Sequence, residues 1–248
     1  MRELEGKNAV VTGSNRGIGK ATVIKLAENG CNIWACARKK TDDFEAELNR
    51  ISSENNVKIT PIYFDLSDET DIKENFKEIY KTKESIDILV NAAGIVNVDL
   101  FQMTSMKVLR NVFETNFFGA AFLTQLVLKV MTRQRSGSIV NVASISGLDV
   151  HPSNCTYGSS KAALIAFTKL LASEVGSLGI RVNGVAPGPT DTDMIRIVQG
   201  KVGDAVLQNC AMNRFAKVEE IAEAILFLAS DKSSFINGEI IRIDGGLK

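Results

Sequence analysis

Short apolar runs rich in β-branched residues alternate along this chain with longer segments whose apolar residues recur at helical spacing. A strand that is apolar throughout is covered on both faces, and the helices between such strands provide that cover. The alternation therefore predicts an α/β fold, with a doubly wound sheet of about seven parallel strands and helices on both faces. The predicted strands are Asn8–Val11, Asn32–Ala37, Lys58–Phe64, Ile86–Val90, Ser138–Val142, Arg181–Ala186 and Glu239–Ile243.

The length of the chain is that of one large domain. It has 248 residues and no stretch rich in proline, glycine or serine that is typical of a linker. Single cores stop growing near ~250–300 residues, so we expect one domain over residues 1–248. The least regular segment is 189–210, where apolar positions at helical spacing are flanked by glycines. It is predicted to be either a lid over a substrate site or a helical excursion packed on the core.

Composition excludes several classes of function. The 29 basic and 29 acidic residues cancel, so no net charge attracts nucleic acid or an anionic membrane. A single histidine, His151, cannot form a zinc site that needs two or three imidazoles, and the four cysteines form no C-x-x-C pair. We expect no metal, and reduced thiols in a cytoplasmic protein. The acidic start and the absence of an apolar run near ~18 residues predict neither a signal peptide nor a membrane span.

The first predicted strand runs into a glycine-rich turn and then into a helical segment. The turn reads Thr12-Gly13-Ser14-Asn15-Arg16-Gly17-Ile18-Gly19. Glycines in a strand–turn–helix unit allow a tight turn and let a pyrophosphate approach the backbone at the positive end of the helix. The spacing differs from that of a P-loop, because five residues separate Gly13 from Gly19 and Lys20 is followed by alanine. The turn predicts a Rossmann-type site for a dinucleotide.

The residues after the second predicted strand indicate which dinucleotide binds. An acidic residue there would hold the adenosine ribose of NAD, but this chain has Ala37-Arg38-Lys39-Lys40. Arg38, together with Arg16 of the glycine turn, would flank a 2′-phosphate, and each charge-assisted bond contributes ~1.5–3 kcal/mol. The sequence predicts NADP(H) as the cofactor. The alternative is that these cations only solvate the end of a strand.

Three residues in the second half of the chain form a candidate catalytic group. Ser144 follows a predicted strand, and Tyr157 and Lys161 are four positions apart at the start of a helical segment. Side chains at this spacing lie on one helix face, and a nearby ammonium favours the phenolate, so we expect Lys161 to lower the pKa of Tyr157. Such a tyrosine can give a proton to a carbonyl oxygen while a dinucleotide supplies the hydride.

The order of these motifs resembles that of the short-chain dehydrogenase/reductase family, in particular its members that reduce 3-oxoacyl thioesters. The resemblance covers nearly the whole chain. Its motifs are Thr12-Gly13-x-x-x-Gly17-x-Gly19, Asp65-Leu66, Asn91-Ala92-Ala93-Gly94, Asn116 in a long helical segment, Ser144, Tyr157, Lys161, Pro187-Gly188-Pro189-Thr190-Asp191-Thr192 and Asp244-Gly245-Gly246.

The resemblance implies a role for each of these residues. Tyr157 would be the general acid and base, and Ser144 would bind the substrate oxygen. Lys161 would hold the nicotinamide ribose and tune Tyr157, while Asn116 would hold a water that links Lys161 to solvent. The implied cofactor-binding residues are Gly13, Ser14, Asn15, Arg16, Gly17, Ile18, Gly19, Arg38, Asp65, Leu66, Asn91, Ala92, Ala93, Gly94, Tyr157, Lys161, Pro187, Gly188, Thr190 and Thr192.

We therefore expect an NADPH-dependent reductase of 3-oxoacyl thioesters or similar ketones. Two alternatives stay open: a sugar, polyol or steroid alcohol dehydrogenase of the same family, and a non-catalytic NADPH-binding sensor. Docking of acyl carrier protein is doubtful, because only Arg135 matches the two basic positions associated with it and the other is Leu178. By analogy His151 lies in a substrate-facing loop, either contacting substrate or facing solvent. The resemblance also implies a homotetramer.

Overall fold

The computed structural model describes residues 2–150, 152–195 and 209–247. These residues form one sheet in the order β3-β2-β1-β4-β5-β6-β7, with every neighbouring pair parallel. The predicted α/β fold with a doubly wound parallel sheet is confirmed, and each strand starts and ends within two residues of its predicted bounds. The strands are β1 (Asn8–Thr12), β2 (Asn32–Ala37), β3 (Ile59–Tyr63), β4 (Ile88–Asn91), β5 (Gly137–Val142), β6 (Ile180–Pro187) and β7 (Ile240–Ile243).

Helices cover both faces of the sheet. In the described part of the chain they are α1 (Gly17–Glu28), α2 (Asp42–Asn55), α3 (Glu69–Lys81), α4 (Met106–Phe113), α5 (Gly119–Gln134), α6 (Cys155–Val175) and α7 (Val218–Ala229). Helices α1, α2 and α7 share one apolar core with the sheet, and α3, α5 and α6 share the other. Alternate side chains of a strand enter opposite cores, as Ala35 and Cys36 of β2 do. Among the described helices, none is long and apolar enough to cross a membrane.

The chain reverses its direction of winding between β1 and β4, which are neighbours in the sheet. Such a switch point opens a crevice at the carboxyl ends of the strands. The side-chain oxygen of Thr12, the last residue of β1, accepts hydrogen bonds from the backbone N–H groups of Ala92 (3.0 Å) and Ala93 (3.1 Å) just after β4. These two hydrogen bonds fix the ends of β1 and β4 to each other. The strand ends form the floor of the crevice, so the floor is fixed as well.

A buried chain of polar side chains fixes α5 and α6 to the sheet. The Asn91 amide donates to Thr124 of α5 (3.0 Å) and to the Asn141 side-chain oxygen on β5 (2.8 Å), and the Asn141 amide donates to Thr168 of α6 (2.8 Å). All four residues are buried, and a buried polar group that loses its partner costs about 1–3 kcal/mol. These hydrogen bonds therefore fix α5 and α6, the two helices whose N-terminal ends reach the crevice.

Helix α5 begins in close backbone contact with the segment after β3. A Cβ atom on Gly119 would lie 2.1 Å from the backbone oxygen of Leu66 and 2.9 Å from its carbonyl carbon. Both obstructing atoms belong to the backbone, which cannot turn away as a long side chain would. Only glycine permits this approach, which places the start of α5 beside the crevice.

Replacing Gly119 by alanine is expected to lower the free energy of unfolding by about 3 kcal/mol, because the added methyl group must push two backbone segments apart. Urea unfolding measures the change. The matched control is Ala121→Gly in the same turn of α5, which loses only helix propensity and costs about 1 kcal/mol. An unfolding midpoint for Gly119→Ala equal to that of the wild type would contradict the close contact.

Candidate active site

A cleft of about 440 Å³ lies above the carboxyl ends of β1, β2, β3 and β4. This volume is in the range of small-molecule and cofactor sites. Its walls come from the glycine-rich turn and from the residues that follow the four strands, with contributions from two later segments. The lining residues are Thr12, Gly13, Asn15, Arg16, Gly17, Ile18, Gly19, Cys36, Ala37, Arg38, Lys39, Thr41, Phe64, Asp65, Leu66, Ala92, Ala93, Gly94, Ile95, Thr115, Thr192, Asp193 and Met194.

The glycine-rich turn has a shape that only glycine permits. Gly13 and Gly17 have φ values of 69° and 54°, in the left-handed region. A Cβ atom on Gly13 would lie 2.9 Å from the Cα atom of Ala93, and one on Gly19 would lie 2.2 Å from the Gly13 carbonyl oxygen. The turn is therefore packed tightly against both the start of α1 and the segment after β4.

The first turn of α1 provides an anion site that fits a dinucleotide. Gly17, Ile18 and Gly19 all line the cleft, and no side chain of the described residues caps this helix at Arg16. Uncapped N–H groups at the positive end of a helix bind phosphate. The turn, the bare backbone and the cleft volume together match the pyrophosphate of a dinucleotide.

Basic side chains lie at the end of the cleft that is formed by β2 and β3. Arg38 and Lys39 follow β2, line the cleft and are exposed. Asp65 lies close to them: burial favours its neutral form, but hydrogen bonds from Ser67 and the charges of Arg38 and Lys39 together hold the pKa of this carboxyl below its usual value. Arg16 lies at the same cleft, with its guanidinium 3.8 Å from the Asp193 carboxylate.

Ser144, Tyr157 and Lys161 meet at the carboxyl end of β5. Ser144 begins a short helical turn, Ile145–Gly147, and its hydroxyl accepts a hydrogen bond from the Ser146 N–H (3.1 Å). Tyr157 and Lys161 lie in the first two turns of α6, with the Lys161 Nζ atom 5.9 Å from the centre of the Tyr157 ring. Nζ donates to the Val142 carbonyl oxygen (2.8 Å), which anchors the lysine to the end of β5.

The ionisation of the pair differs from the sequence-based expectation. Burial raises the pKa of Tyr157 above its usual value, and a hydrogen bond with Ser144 only partly offsets this. The prediction that Lys161 lowers the pKa of Tyr157 is therefore wrong for the structure described, because loss of water around the phenol outweighs other effects. Burial also lowers the pKa of Lys161, to about 8. The ammonium thus carries its charge at neutral pH and loses its proton above about pH 8.

Asn116 lies in a π-helical turn, Glu114–Phe118, between α4 and α5. The helical segment expected around Asn116 is unbroken from α4 through this turn to α5, and single π turns are frequent at functional sites. The Asn116 amide oxygen accepts from the Ile95 N–H (2.8 Å), and its nitrogen donates to the Ile95 carbonyl (2.9 Å) and to the Ser160 hydroxyl (3.0 Å). Asn116 therefore joins the segment after β4 to α6.

Gly94 is the point where the cleft meets the catalytic group. A Cβ atom on Gly94 would lie 3.3 Å from the Asn116 amide oxygen and 3.4 Å from the Lys161 Nζ atom. Gly94 itself lines the cleft. The structure thus brings Asn116, Ser144, Tyr157 and Lys161 together at one end of the cleft, although 45 residues separate Asn116 from Lys161 along the chain.

Some residues expected to bind the cofactor lie beside the cleft wall and not on it. Ser14 is buried and donates to the Val11 carbonyl (2.8 Å), and Asn91 belongs to the buried polar chain. Pro187 ends β6, Gly188 packs against Asp244, and the Thr190 hydroxyl donates to the Gly188 carbonyl (3.0 Å). His151 and residues 196–208, most of the predicted lid, lie outside the described residues.

Sequence reasoning missed several residues of the cleft wall. Phe64 follows β3, and its place after a strand was a usable signal. Thr115 belongs to the π-helical turn, for which no sequence signal was available. The other residues missed are Cys36, Ala37, Thr41, Ile95, Asp193 and Met194. Within the described ranges, no three His, Cys, Asp or Glu side chains lie together as a metal site requires.

Comparison with known proteins gives relatives over nearly the full length. The sequence profile of a family described as "Enoyl-(Acyl carrier protein) reductase" matches residues 13–248. The 3-oxoacyl-(acyl-carrier-protein) reductase FabG of Thermotoga maritima is 38% identical, over 98% of each chain. The enzyme of the same name from Aquifex aeolicus is 37% identical, over 99% of this chain and 98% of the relative.

Solved structures show the same fold. A short-chain type dehydrogenase/reductase from Mycobacterium marinum superposes with a TM-score of 0.92 at 30% identity, covering 98% of this chain and 96% of the other. A structure from Beutenbergia cavernae, provisionally named an NAD(P) dependent gluconate 5-dehydrogenase and containing NADP at low occupancy, gives the same TM-score and identity. It covers 98% of this chain and 97% of the other.

The buried lysine predicts a pH dependence of stability. The pKa of Lys161 falls from 10.5 to about 8 on folding, so between these values the unfolded chain holds more protons than the folded one. The contribution of Lys161 to the free energy of unfolding therefore rises with pH across this window, by about 3 kcal/mol in total. Below about pH 8 the full cost of burying the charge is present.

Urea unfolding of Lys161→Met and wild type between pH 7 and pH 10.5 measures this cost. Methionine carries no charge, so the stability advantage of Lys161→Met is expected to shrink as the pH rises. Lys169→Met, on the exposed side of the same helix, is the matched control, and its difference from wild type should not change with pH. A constant difference for Lys161→Met as well would show that Lys161 is not desolvated.

Proposed function

The chain belongs to the short-chain dehydrogenase/reductase family of oxidoreductases, which act on CH–OH and C=O groups, and we propose that it reduces the 3-oxo group of acyl thioesters with NADPH. One observation carries the proposal: Ser144, Tyr157 and Lys161 converge at the end of a cleft that has the backbone shape of a dinucleotide site. Two hydroxyls and one cation at a single point suit a carbonyl oxygen that gains negative charge.

The roles of the side chains follow from their ionisation. When bound, NADPH supplies hydride to the carbonyl carbon. Ser144 donates a hydrogen bond to the carbonyl oxygen, and Tyr157, whose pKa is raised by burial, holds its proton until that oxygen becomes basic enough to take it. Lys161 stabilises the phenolate that results. Transfer from a positioned acid of this kind contributes ~10²–10⁴-fold to the rate.

The preference for NADP rests on charge at the β2 end of the cleft. Arg38 and Lys39 line this wall and carry the residual positive charge beside Asp65. A 2′-phosphate there would bind Arg38, with Arg16 reaching from the glycine turn. Asp65, the carboxylate near this position, follows β3 and not β2, and the two cations outnumber it.

The thioester substrate is supported by relatives that are named for it, which match at 38% and 37% identity over nearly the whole chain. A second candidate is a sugar or polyol dehydrogenase, favoured by the likeness to the structure provisionally named for gluconate. The two differ in substrate contacts, and we place these in segment 189–210. Turnover of a substrate panel distinguishes them.

Arg135 and Leu178 occupy the two positions at which basic residues for docking acyl carrier protein would be expected. Arg135 ends α5 in the left-handed conformation, and its guanidinium donates to the Ser177 carbonyl (3.3 Å). Leu178, where a second basic residue would be expected, packs against the apolar core. Arg135 thus already has a partner within the fold, so we propose activity on simple thioesters, such as those of coenzyme A, as well as on carrier-bound ones.

We also propose that the chain forms a homotetramer. Apolar side chains are exposed near α4 and α5, where Met103 is 76% and Phe118 48% accessible. Others are exposed on α6 and before β7, where Leu170 is 67% accessible and Phe235 fully so. We propose that a homotetramer covers these exposed side chains at its interfaces. Light scattering measures the mass.

The reaction is tested by oxidation of NADPH with a panel of 3-oxoacyl thioesters, small ketones and sugars. We expect thioesters to be reduced and Tyr157→Phe to lose about 10²–10⁴-fold in turnover while binding NADPH as before. Tyr80→Phe is the matched control, because its phenol lies on the surface and contacts Arg133. Turnover of sugars alone would exclude the thioester assignment. Retention of full activity by Tyr157→Phe would exclude the proposed acid.

The cofactor preference is tested by Arg38→Ala. Loss of one charge-assisted contact to the 2′-phosphate should raise the KM for NADPH about tenfold and leave the KM for NADH unchanged. Lys40→Ala is the matched control, because Lys40 is an exposed cation two residues on that pairs with Glu45 (3.1 Å) and not with the cleft. Equal effects of Arg38→Ala on both dinucleotides would contradict a phosphate contact.

A further inference from the structure

Arg242 of β7 binds two carboxylates that come from different parts of the chain. Its terminal nitrogens contact both oxygens of Asp149, at 3.0 and 2.6 Å, in a two-point ion pair. Its Nε atom also donates to Asp244, a largely buried carboxylate two residues on. Two-point arginine–carboxylate pairs fix geometry as well as charge. Arg242 is therefore held from two sides.

Asp149 belongs to the turn that carries Ser144. The Asp149 N–H donates to the Ile145 carbonyl (2.8 Å), and the Gly147 N–H donates to the Ser144 carbonyl (3.0 Å). Gly147 packs directly on α6, since a Cβ atom there would lie 2.7 Å from the carbonyl carbon of Lys161. A change at Asp149 therefore passes through a short hydrogen-bonded turn to Ser144.

The ion pair holds the end of this turn, and the described residues between it and α6, Val150 and 152–154, are exposed or half-buried. Val150, the next residue, is 98% exposed, and Ser153 has a left-handed φ of 62°. Helix α6 begins only at Cys155. The ion pair of Asp149 therefore acts together with the packing of Gly147 on α6 in fixing the Ser144 turn.

Asp244, the other carboxylate on Arg242, contacts Gly188 and Cys210. A Cβ atom on Gly188, just before the segment, would lie 2.7 Å from the Asp244 Cβ atom. At the other end the Cys210 thiol contacts the Asp244 carbonyl (3.4 Å), and the Met212 N–H donates to the Gly245 carbonyl (3.0 Å). The C-terminal turn that holds Arg242 is thus packed against Gly188 and Cys210.

We propose that Arg242 is a positioning residue that holds the Ser144 turn through Asp149, so that it sets the affinity for the carbonyl substrate and not for the dinucleotide. The proposal rests on the proposed function, because it takes Ser144 as the residue that binds the substrate oxygen. Arg242 does not line the dinucleotide cleft, which is why cofactor binding is expected to be independent of it.

The test compares Arg242→Met, Arg242→Lys and Asp149→Asn with wild type. We expect Arg242→Met to raise the KM for a 3-oxoacyl thioester about tenfold, with kcat within about threefold and the Kd for NADPH unchanged. Arg242→Lys keeps the charge but loses the planar fork, so it should restore only part of the affinity. Arg50→Met is the matched control, since Arg50 also binds two carboxylates but lies on α2.

Combining the variants distinguishes an effect that passes through the Arg242–Asp149 ion pair from a general loss of stability. Asp149→Asn should raise KM in the same direction as Arg242→Met, and the double variant should be no worse than Arg242→Met alone. Additive effects of the two substitutions, or a KM in both single variants equal to that of wild type, would overturn the proposal. So would a change confined to NADPH affinity. If Arg242→Met does not fold, Asp149→Asn and Arg242→Lys decide the same question.

Hydrogen exchange of the peptide spanning residues 145–155 gives a readout that needs no substrate. Exchange in this peptide should be faster in Arg242→Met than in wild type or Arg50→Met. If wild type reduces none of the carbonyls tested, the proposed function fails on that result alone, and the coupling is then judged by exchange. Unchanged exchange in Arg242→Met overturns it.

Discussion

The junction between β1 and β4 is the contact on which the rest of the site depends. Thr12 accepts two backbone hydrogen bonds from the segment after β4, and Gly13 lies against Ala93 at a distance that admits no side chain. Because the winding of the sheet reverses at this junction, no helix covers it and a crevice is left. The glycine turn, α1 and the segment that reaches Gly94 all take their positions from this one contact.

Backbone groups form one end of the crevice, and side chains form the other. The dinucleotide end is made mostly of backbone: glycines at positive φ and the uncapped start of α1. The catalytic end is made of side chains that depend on one another, since Asn116 holds Ile95 and Ser160, and Lys161 holds the end of β5. Burial raises the pKa of Tyr157 and lowers that of Lys161 to about 8, so at neutral pH the phenol keeps its proton and the ammonium keeps its charge.

The sequence predicted what depends on local pattern. Strand positions follow from apolar runs such as Asn32–Ala37, and the glycine turn follows from spacing, because both are fixed by short-range sterics. It did not predict the π-helical turn at Asn116, where α4 passes into α5. The direction of the pKa of Tyr157 was also wrong, since the spacing of Tyr157 and Lys161 gives their proximity but not their loss of water.

Gly94 shows why the two ends act as one site. The Asn116 amide and the Lys161 ammonium both approach within 3.4 Å of the place a Cβ atom would occupy there. A Cβ atom there would press on the amide oxygen that holds Ile95 and on the ammonium that holds the end of β5, so both groups would have to move by a few tenths of an ångström. Glycine at this position therefore lets the wall of the cleft, the π-helical turn and α6 meet without displacing the catalytic lysine.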